Sequence, residues 1–387
     1  MTMTGLYLRV APCILIALMA CSSPPRKTGD YKIALVSVRR VHTIADNKDG
    51  KIKPGDGEMR RQYVTGQEGI FVMNSDATGK KLAFQSSNAQ LFPFSWSPDG
   101  KKIALLLARK ENEEDKNILT KYQIPYHFPL YELDLASGKE KRLLNIPVSS
   151  FRWSPDGRYM LYLSSYEDPG QAKSAIYLLN LQTGEQKRLT PLTQNCSGAF
   201  SPDGTQLAYS LGTDEASDVY TMSLDGNNPR CLTDSKSTKS INIKPAWSPD
   251  GKNIAYISAN PSSEQNAAAG IYITDPTGAE KRLVSSMLAF SVTWSPDGKS
   301  LLIQWEGGLS VMDVDGKKTK NIITGIGRPL DAVFAPDGKK IVLRSIDLKL
   351  YSVDLDGTHL RAITHITGTS TDMAVTSFCL SPLQSKP

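Results

Sequence analysis

A five-residue unit recurs six times along this chain and constrains its fold more than any other feature. It reads Trp96-Ser97-Pro98-Asp99-Gly100, then returns at Trp153–Gly157, Phe200–Gly204, Trp247–Gly251, Trp294–Gly298 and, with Ala335 in place of Ser, at Phe334–Gly338. The aromatic residues stand 57, 47, 47, 47 and 40 positions apart by subtraction. Pro presets φ near −65°, Asp caps the turn through its side chain and Gly accepts positive φ, so each unit reads as a tight hairpin turn. A strand ending in the aromatic residue precedes it. An alternating apolar strand follows, as in Ile103-Ala104-Leu105 and Ile254-Ala255-Tyr256. A period of 40 to 50 residues with short strands predicts the blades of a β-propeller.

A second motif follows each time: a strand, a turn ending in Gly, then a shorter strand. Examples are Tyr131–Gly138, Ile176–Gly184 and Leu350–Gly357, followed by strands such as Lys187–Thr190 and Arg361–Thr364. Each unit thus has four strands, a to d. The second motif occurs seven times, first at Ile70–Gly79, whereas the Pro-Asp-Gly turn occurs only six times. The unmatched first unit has a strand b at Tyr31–Val38 and no strand a. Val375–Pro382 supplies one, ending in Leu380-Ser381-Pro382 without the Asp-Gly turn. The expected fold is all-β, a seven-bladed propeller of four-stranded blades in which N- and C-terminal strands share one blade. Closing the ring removes the two exposed edges of an open array. The alternative, six complete blades, leaves two strand-like ends without partners.

The 387 residues are 40% hydrophobic and 22% charged, suited to a globular protein with a real core. The net charge of +6 is spread with both signs along the chain. Without a Lys/Arg block to track phosphates, nucleic acid is not an expected partner. A mild attraction to anionic lipid or envelope polymers is compatible with this charge, and a monomer is expected.

Arg9 precedes an apolar run, Val10–Ala20, and then Cys21. One positive charge, an apolar core and a small residue before the cut describe a secretory signal. The run is too short to span about 30 Å of bilayer as a helix. Leu18-Met19-Ala20-Cys21 resembles the bacterial lipobox, which implies acylation of the Cys21 sulfur. The expected organisation is a lipoprotein signal peptide over 1–20, a lipid-anchored tether over 21–30 and the propeller over 31–382. Cys13 leaves with the signal. Cys196, Cys231 and Cys379 remain, and they read as buried small side chains, with a single disulfide left open.

The Trp-Ser-Pro-Asp-Gly repeat with its following Tyr…Asp…Gly strand resembles the WD40-like PD40 repeats of TolB-type β-propellers, over residues from about 31 to 382. The resemblance implies a periplasmic protein that binds other envelope proteins and is not an enzyme. TolB-type proteins carry an α/β domain before the propeller and are soluble in the periplasm. Here the blades begin soon after the signal, and a lipobox is present.

The a–b and c–d turns are short and repetitive, so the variable b–c loops on the opposite face are the expected binding surface. Blade one inserts about Arg39–Glu68 and blade two about Arg109–Phe128. The candidate rim residues are Arg60, Arg61, Tyr122, Tyr126 and His127. Asn47, Asp49 and Asp56 partly match a calcium loop, but its first ligand position holds Ala45. Calcium is therefore the one cofactor considered, against a plain polar loop. The repeated Trp and Phe read as core between blades, and the motif aspartates read as turn caps.

No Gly-x-Ser-x-Gly, His-Glu-x-x-His, P-loop or dinucleotide fingerprint is present. The four histidines, His42, His127, His359 and His365, are scattered. The expected function is a non-catalytic, lipid-anchored envelope module for protein interaction or scaffolding, held outside the cytoplasm at the periplasmic face or cell surface. The alternatives are a propeller polysaccharide lyase, which would gather His and acids at the axis, and a glycan- or peptide-binding surface lipoprotein.

Overall fold

The computed structural model describes residues 31–39, 68–86, 89–109, 128–168, 173–260, 269–322, 326, 329–346, 348–364 and 373–382. In chain order the strands are β1 (Lys32–Arg39), β2 (Glu68–Asn74) and β3 (Lys81–Ser86). Next come β4 (Ala89–Trp96), β5 (Lys102–Arg109), β6 (Leu130–Asp134) and β7 (Glu140–Leu144). Then follow β8 (Ser150–Trp153), β9 (Tyr159–Ser164), β10 (Ala175–Asn180) and β11 (Gln186–Arg188). The middle of the chain forms β12 (Asn195–Phe200), β13 (Gln206–Gly212), β14 (Ser217–Ser223) and β15 (Arg230–Cys231), a short helix α1 (Ser235–Thr238), then β16 (Ile241–Trp247), β17 (Ile254–Ala259), β18 (Gly270–Thr274) and β19 (Lys281–Ser285). The rest comprises β20 (Ala289–Trp294), β21 (Ser300–Trp305), β22 (Gly308–Asp313), β23 (Thr319–Ile322), β24 (Asp331–Phe334), β25 (Lys340–Arg344), β26 (Leu350–Asp354), β27 (Arg361–Ala362) and β28 (Met373–Leu380).

The repeated turn folds as its residues dictate. In Ser248–Gly251 the Gly251 N–H donates to Ser248 O (2.9 Å), and φ of Gly251 is +71°. Asp250 Oδ1 accepts from Ser248 Oγ (2.6 Å) and from the Lys252 N–H (3.1 Å). Ser248 Oγ in turn accepts the Asn253 N–H (2.9 Å). The same lattice stands at Ser97/Asp99, Ser154/Asp156, Ser201/Asp203 and Ser295/Asp297. Each turn also lies over the proline of the turn before it. A Cβ added to Gly251 would sit 3.8 Å from Pro202, and one added to Gly298 would sit 3.6 Å from Pro249. The local motif is therefore also a contact between neighbouring repeats.

The sheets pack face to face around a ring, and the fold is an all-β propeller with very little helix. The core among the described residues divides into clusters that each join successive four-strand units. One joins β5–β6 to β8–β10 through Ala104, Leu130, Trp153 and Tyr162. Others join β9–β10 to β12–β14, β13–β14 to β16–β17, β17–β18 to β20–β22, and β21–β22 to β24–β26. The motif tryptophans Trp96, Trp153, Trp247 and Trp294 are buried, as their reading as core requires. Trp294 Nε1 donates to Ala246 O in the preceding unit (2.9 Å).

The two ends of the fold meet in one sheet, ordered β28-β1-β2-β3. Ile33 pairs with Leu380 and Leu35 with Phe378. Ser381 N donates to Lys32 O (2.8 Å), and Lys32 N donates to Ser381 Oγ (2.7 Å). One side of this sheet packs Tyr31, Ile33 and Phe378 on Val333, Val342 and Leu350, and the other packs Ala34, Val36 and Ile70 on Phe94, Trp96 and Leu105.

The expected seven separate four-stranded sheets are corrected in one respect. Among the described residues the hydrogen-bonded sheets are five of four strands and one of eight, the latter uniting β12–β15 with β16–β19. A single parallel bridge, Ser217 with Ile241, joins them. The cause is a buried amide: Asn242 Nδ2 donates to Ser217 O (3.1 Å) and Ser240 Oγ (2.8 Å), and Ser217 Oγ donates to Asn242 O (3.0 Å). A buried amide needs these partners, and meeting them draws β16 onto β14.

Candidate functional site

The ring has two unlike faces. One carries the a–b and c–d turns, built on nearly identical hydrogen bonds. The other carries the b–c and d–a connections, which differ from unit to unit. The rim residues Arg60, Arg61, Tyr122, Tyr126 and His127, the loop residues Asn47, Asp49 and Asp56, and the acylation site Cys21 all lie outside the described residues. So do His42 and His365. The loop face is therefore described from other side chains.

On that face the connection after β9 is anchored by Glu167, whose Oε1 accepts from Tyr177 Oη (3.1 Å) and which forms an ion pair with Arg188. Tyr177 stacks on Tyr162 with ring centroids 5.2 Å apart, and Tyr166 lies against it. Burial alone would raise the Glu167 carboxyl, but hydrogen bonds from Tyr166 and Tyr177 and the Arg188 charge hold it below the usual range. Beside β14, Asp218 Oδ1 accepts from Thr233 Oγ1 (2.6 Å) and the Ser235 N–H (2.8 Å), while Oδ2 accepts from Ser235 Oγ (2.6 Å). Both carboxylates are committed to holding loops.

The inner end of the face is formed where the first strands of neighbouring units begin. Lys244 stands at a bulge in β16 with φ +54°, and its Nζ donates to Phe290 O of β20 (2.7 Å). Desolvation lowers its pKa below the usual lysine value. Nearby, Gln304 Nε2 donates to Pro329 O (2.9 Å) and Leu330 O (3.1 Å), and Arg344 pairs with Asp331. Leu288, Leu330 and Ile346 are exposed, Ile346 at 68%. Sequence reasoning missed this group. The available signal was Lys244-Pro245 inside a strand: Pro marks a bulge, and the residue before it is conformationally restricted.

On the turn face, His359 Nδ1 lies 2.8 Å from Asp354 Oδ2, and Lys340 Nζ donates to Asp354 Oδ1 (2.6 Å). Among the described residues no three metal-ligating side chains cluster. Cys196, Cys231 and Cys379 form no disulfide. Burial pushes the Cys196 thiol up to about 12. Cys231 departs from the expected burial: it is exposed on the short outer strand β15, with Sγ donating to Thr233 O (3.1 Å).

Comparison with known proteins adds family information. The family described as "TolB beta propeller domain" (PD40) matches residues 131–304 and 224–378. The "Tol-Pal system protein TolB" of Francisella tularensis subsp. mediasiatica is 35% identical over 104 residues, covering 24% of this chain and 23% of that protein. The chain thus aligns with under a quarter of the length of the curated relatives it matches. Among solved structures, the β-propeller domain of the Trilobed protease from Pyrococcus furiosus superposes with a TM-score of 0.58 at 17% identity, covering 89% of this chain and 97% of that one. The oligogalacturonate lyase of Vibrio parahaemolyticus gives 0.52 at 15% identity, with 72% and 80% coverage. At these identities the two structures share the fold.

Proposed function

This chain belongs to the TolB β-propeller domain family, and from that premise we propose that it is a non-catalytic, lipid-anchored scaffold that binds other proteins at the bacterial envelope. The observation that carries this reading is the contrast between the faces: one rigid ring holds repetitive turns on one side and dissimilar loops on the other. A rigid scaffold with variable loops on one side is a common arrangement for recognition. Four described carboxylates, Asp250, Glu167, Asp218 and Asp331, are occupied with turns, loops and sheet ends, which supports it. Curated relatives named for the Tol-Pal system favour protein partners.

The proposal includes seven blades, supported by the repeat count and by a hydrophobic cluster at each junction between units. In it the eight-stranded sheet is two blades joined by one bridge. Residues 1–20 direct export, Cys21 is acylated, residues 21–30 are the tether and 31–382 form the propeller. Calcium at Asn47, Asp49 and Asp56 is an optional addition. The second reading, a polysaccharide lyase or glycan binder, has the fold likeness to the Vibrio lyase in its favour.

The test is capture from solubilised envelope by the full chain, beside a matched chain lacking residues 41–66 and 110–126. A protein held only by the full chain is the expected result. Retention of the same proteins by both chains would contradict the loop rim as the binding surface. Capture of no protein, with turnover of oligogalacturonate, would replace the scaffold with the lyase.

A further inference from the structure

The charges look scattered along the sequence, but the fold sorts them. The outermost strands among the described residues are β3, β7, β11, β15, β19, β23 and β27. Together they hold ten Lys or Arg and one acid, Glu140, a net charge of +9. The whole chain nets +6, so all other residues together net −3. All ten cations are exposed, and each lies within the first three residues of its strand, as do Lys81, Lys141, Lys281 and Arg361. That end of every outer strand adjoins the c–d turn. Apart from Arg188, whose side chain reaches Glu167 of the loop face, the cations therefore form a belt along the rim of the turn face, with repeats of 40 to 50 residues hiding it from a linear reading.

Edge-strand protection alone does not account for this belt. Charges of either sign would keep edge strands from pairing with other chains, yet the ratio is ten to one. The aspartates of the same face cap their own turns: Asp134 Oδ1 accepts from Ser137 N (2.8 Å) and Ser137 Oγ (2.7 Å), in the manner of Asp250, although carboxylates such as Asp99, Asp203 and Asp250 remain exposed between the cations. Some of the cations are already engaged: Lys187 and Arg282 with carbonyls of the next unit's turn, Arg188 with Glu167, and Arg142 with a partner of its own.

The chain also enters the fold at this face. Tyr31 precedes β1 there, buried close enough to Asp337 of an a–b turn that burial first, and then that charge, push its phenol up to about 12. Lys32 pairs with Asn74 at the start of a c–d turn.

We propose that the turn face is a docking surface for an anionic membrane, its cation belt set against lipid headgroups while the loop face points away toward a protein partner. This deepens the envelope reading above and rests on it. Each Lys or Arg near an anionic leaflet contributes about 1 kcal/mol, roughly a fivefold change in binding, and the attraction fades with salt.

The test uses the full chain carrying Cys21→Ser, which removes acylation and leaves the N-terminal segment identical in every arm. Binding is compared on phosphatidylcholine vesicles and on vesicles with added phosphatidylglycerol. The expected result is a preference for the anionic vesicles that high salt removes. Reversal at the belt (Lys81→Glu, Lys141→Glu, Lys281→Glu, Lys320→Glu) should lower that preference at least tenfold. The same number of reversals on the loop face (Lys173→Glu, Lys236→Glu, Lys239→Glu, Lys349→Glu) should change it less than twofold, with thermal unfolding confirming that both variants fold. Equal loss in both variants, or no preference for anionic vesicles, would overturn the proposal. So would binding of soluble polyphosphate without any vesicle preference, which would make the belt a polymer site. Protein capture by the loop face is read separately, so it stands or fails independently.

Discussion

The Pro-Asp-Gly turns and the loop face solve one backbone problem in different ways. On the turn face, the left-handed positions are filled by glycine in every Pro-Asp-Gly turn, with φ between +70° and +72°. On the loop face, Lys244 takes φ +54° at a bulge. Glycine adopts this conformation freely, whereas another residue there costs about 1–3 kcal/mol. The a–b turns therefore repeat without this strain. Three c–d turns carry it at Ala77, Asn228 and His359, and the loop face carries it at Lys239, Leu348 and Lys244, the last of which also reaches across to β20. Features shaped for the fold recur from unit to unit, and features that set units apart concentrate on the loop face.

The largest way to break this comparison is at the sheet shared by both ends, on which both faces depend. Phe378 is fully buried between β1 and the β24–β26 unit. Phe378→Ala should cost about 3–5 kcal/mol in denaturant unfolding; a loss below 1 kcal/mol would mean that β28 contributes little. A smaller pair of substitutions compares the faces directly. Gly251→Ala meets only ordinary contact with Pro202, so its expected cost of about 1–2 kcal/mol is backbone strain. Lys244→Gly should have the opposite sign and stabilise by about 1 kcal/mol, because it releases strain and a desolvated amine. Equal signs for the two would remove the contrast. The smallest effect is expected at Ala335, which stands where the other turns have Ser. Ala335→Ser would supply the hydroxyl that elsewhere bridges Asp and the following strand. It should raise stability by about 0.5–1 kcal/mol, read as a small upward shift in Tm.

The sequence made the turn face legible because Trp-Ser-Pro-Asp-Gly encodes its own hydrogen bonds and recurs at a fixed period. The β28–β1 pairing was legible from a count, six a–b turns against seven c–d turns. The junction of β14 with β16 was not, because it rests on the Asn242, Ser217 and Ser240 side chains, which no periodic pattern marks. The cation belt escaped notice for a related reason: its members are neighbours only after folding. Cys231 was misread as buried because β15 has two residues and no inner side to hide them. The expected rim and calcium residues fall on insertions outside the described residues, where propensity and repeats supply no frame.

One closed ring carrying two faces is the centre of this account, and thermal unfolding of the chain lacking residues 372–387 tests it most directly. Removing β28 takes away the pairing with β1 and the Phe378 contact, leaving an exposed edge on β1. The account predicts a large drop in Tm and loss of a single cooperative transition. An unchanged transition in the truncated chain would contradict closure by the shared sheet.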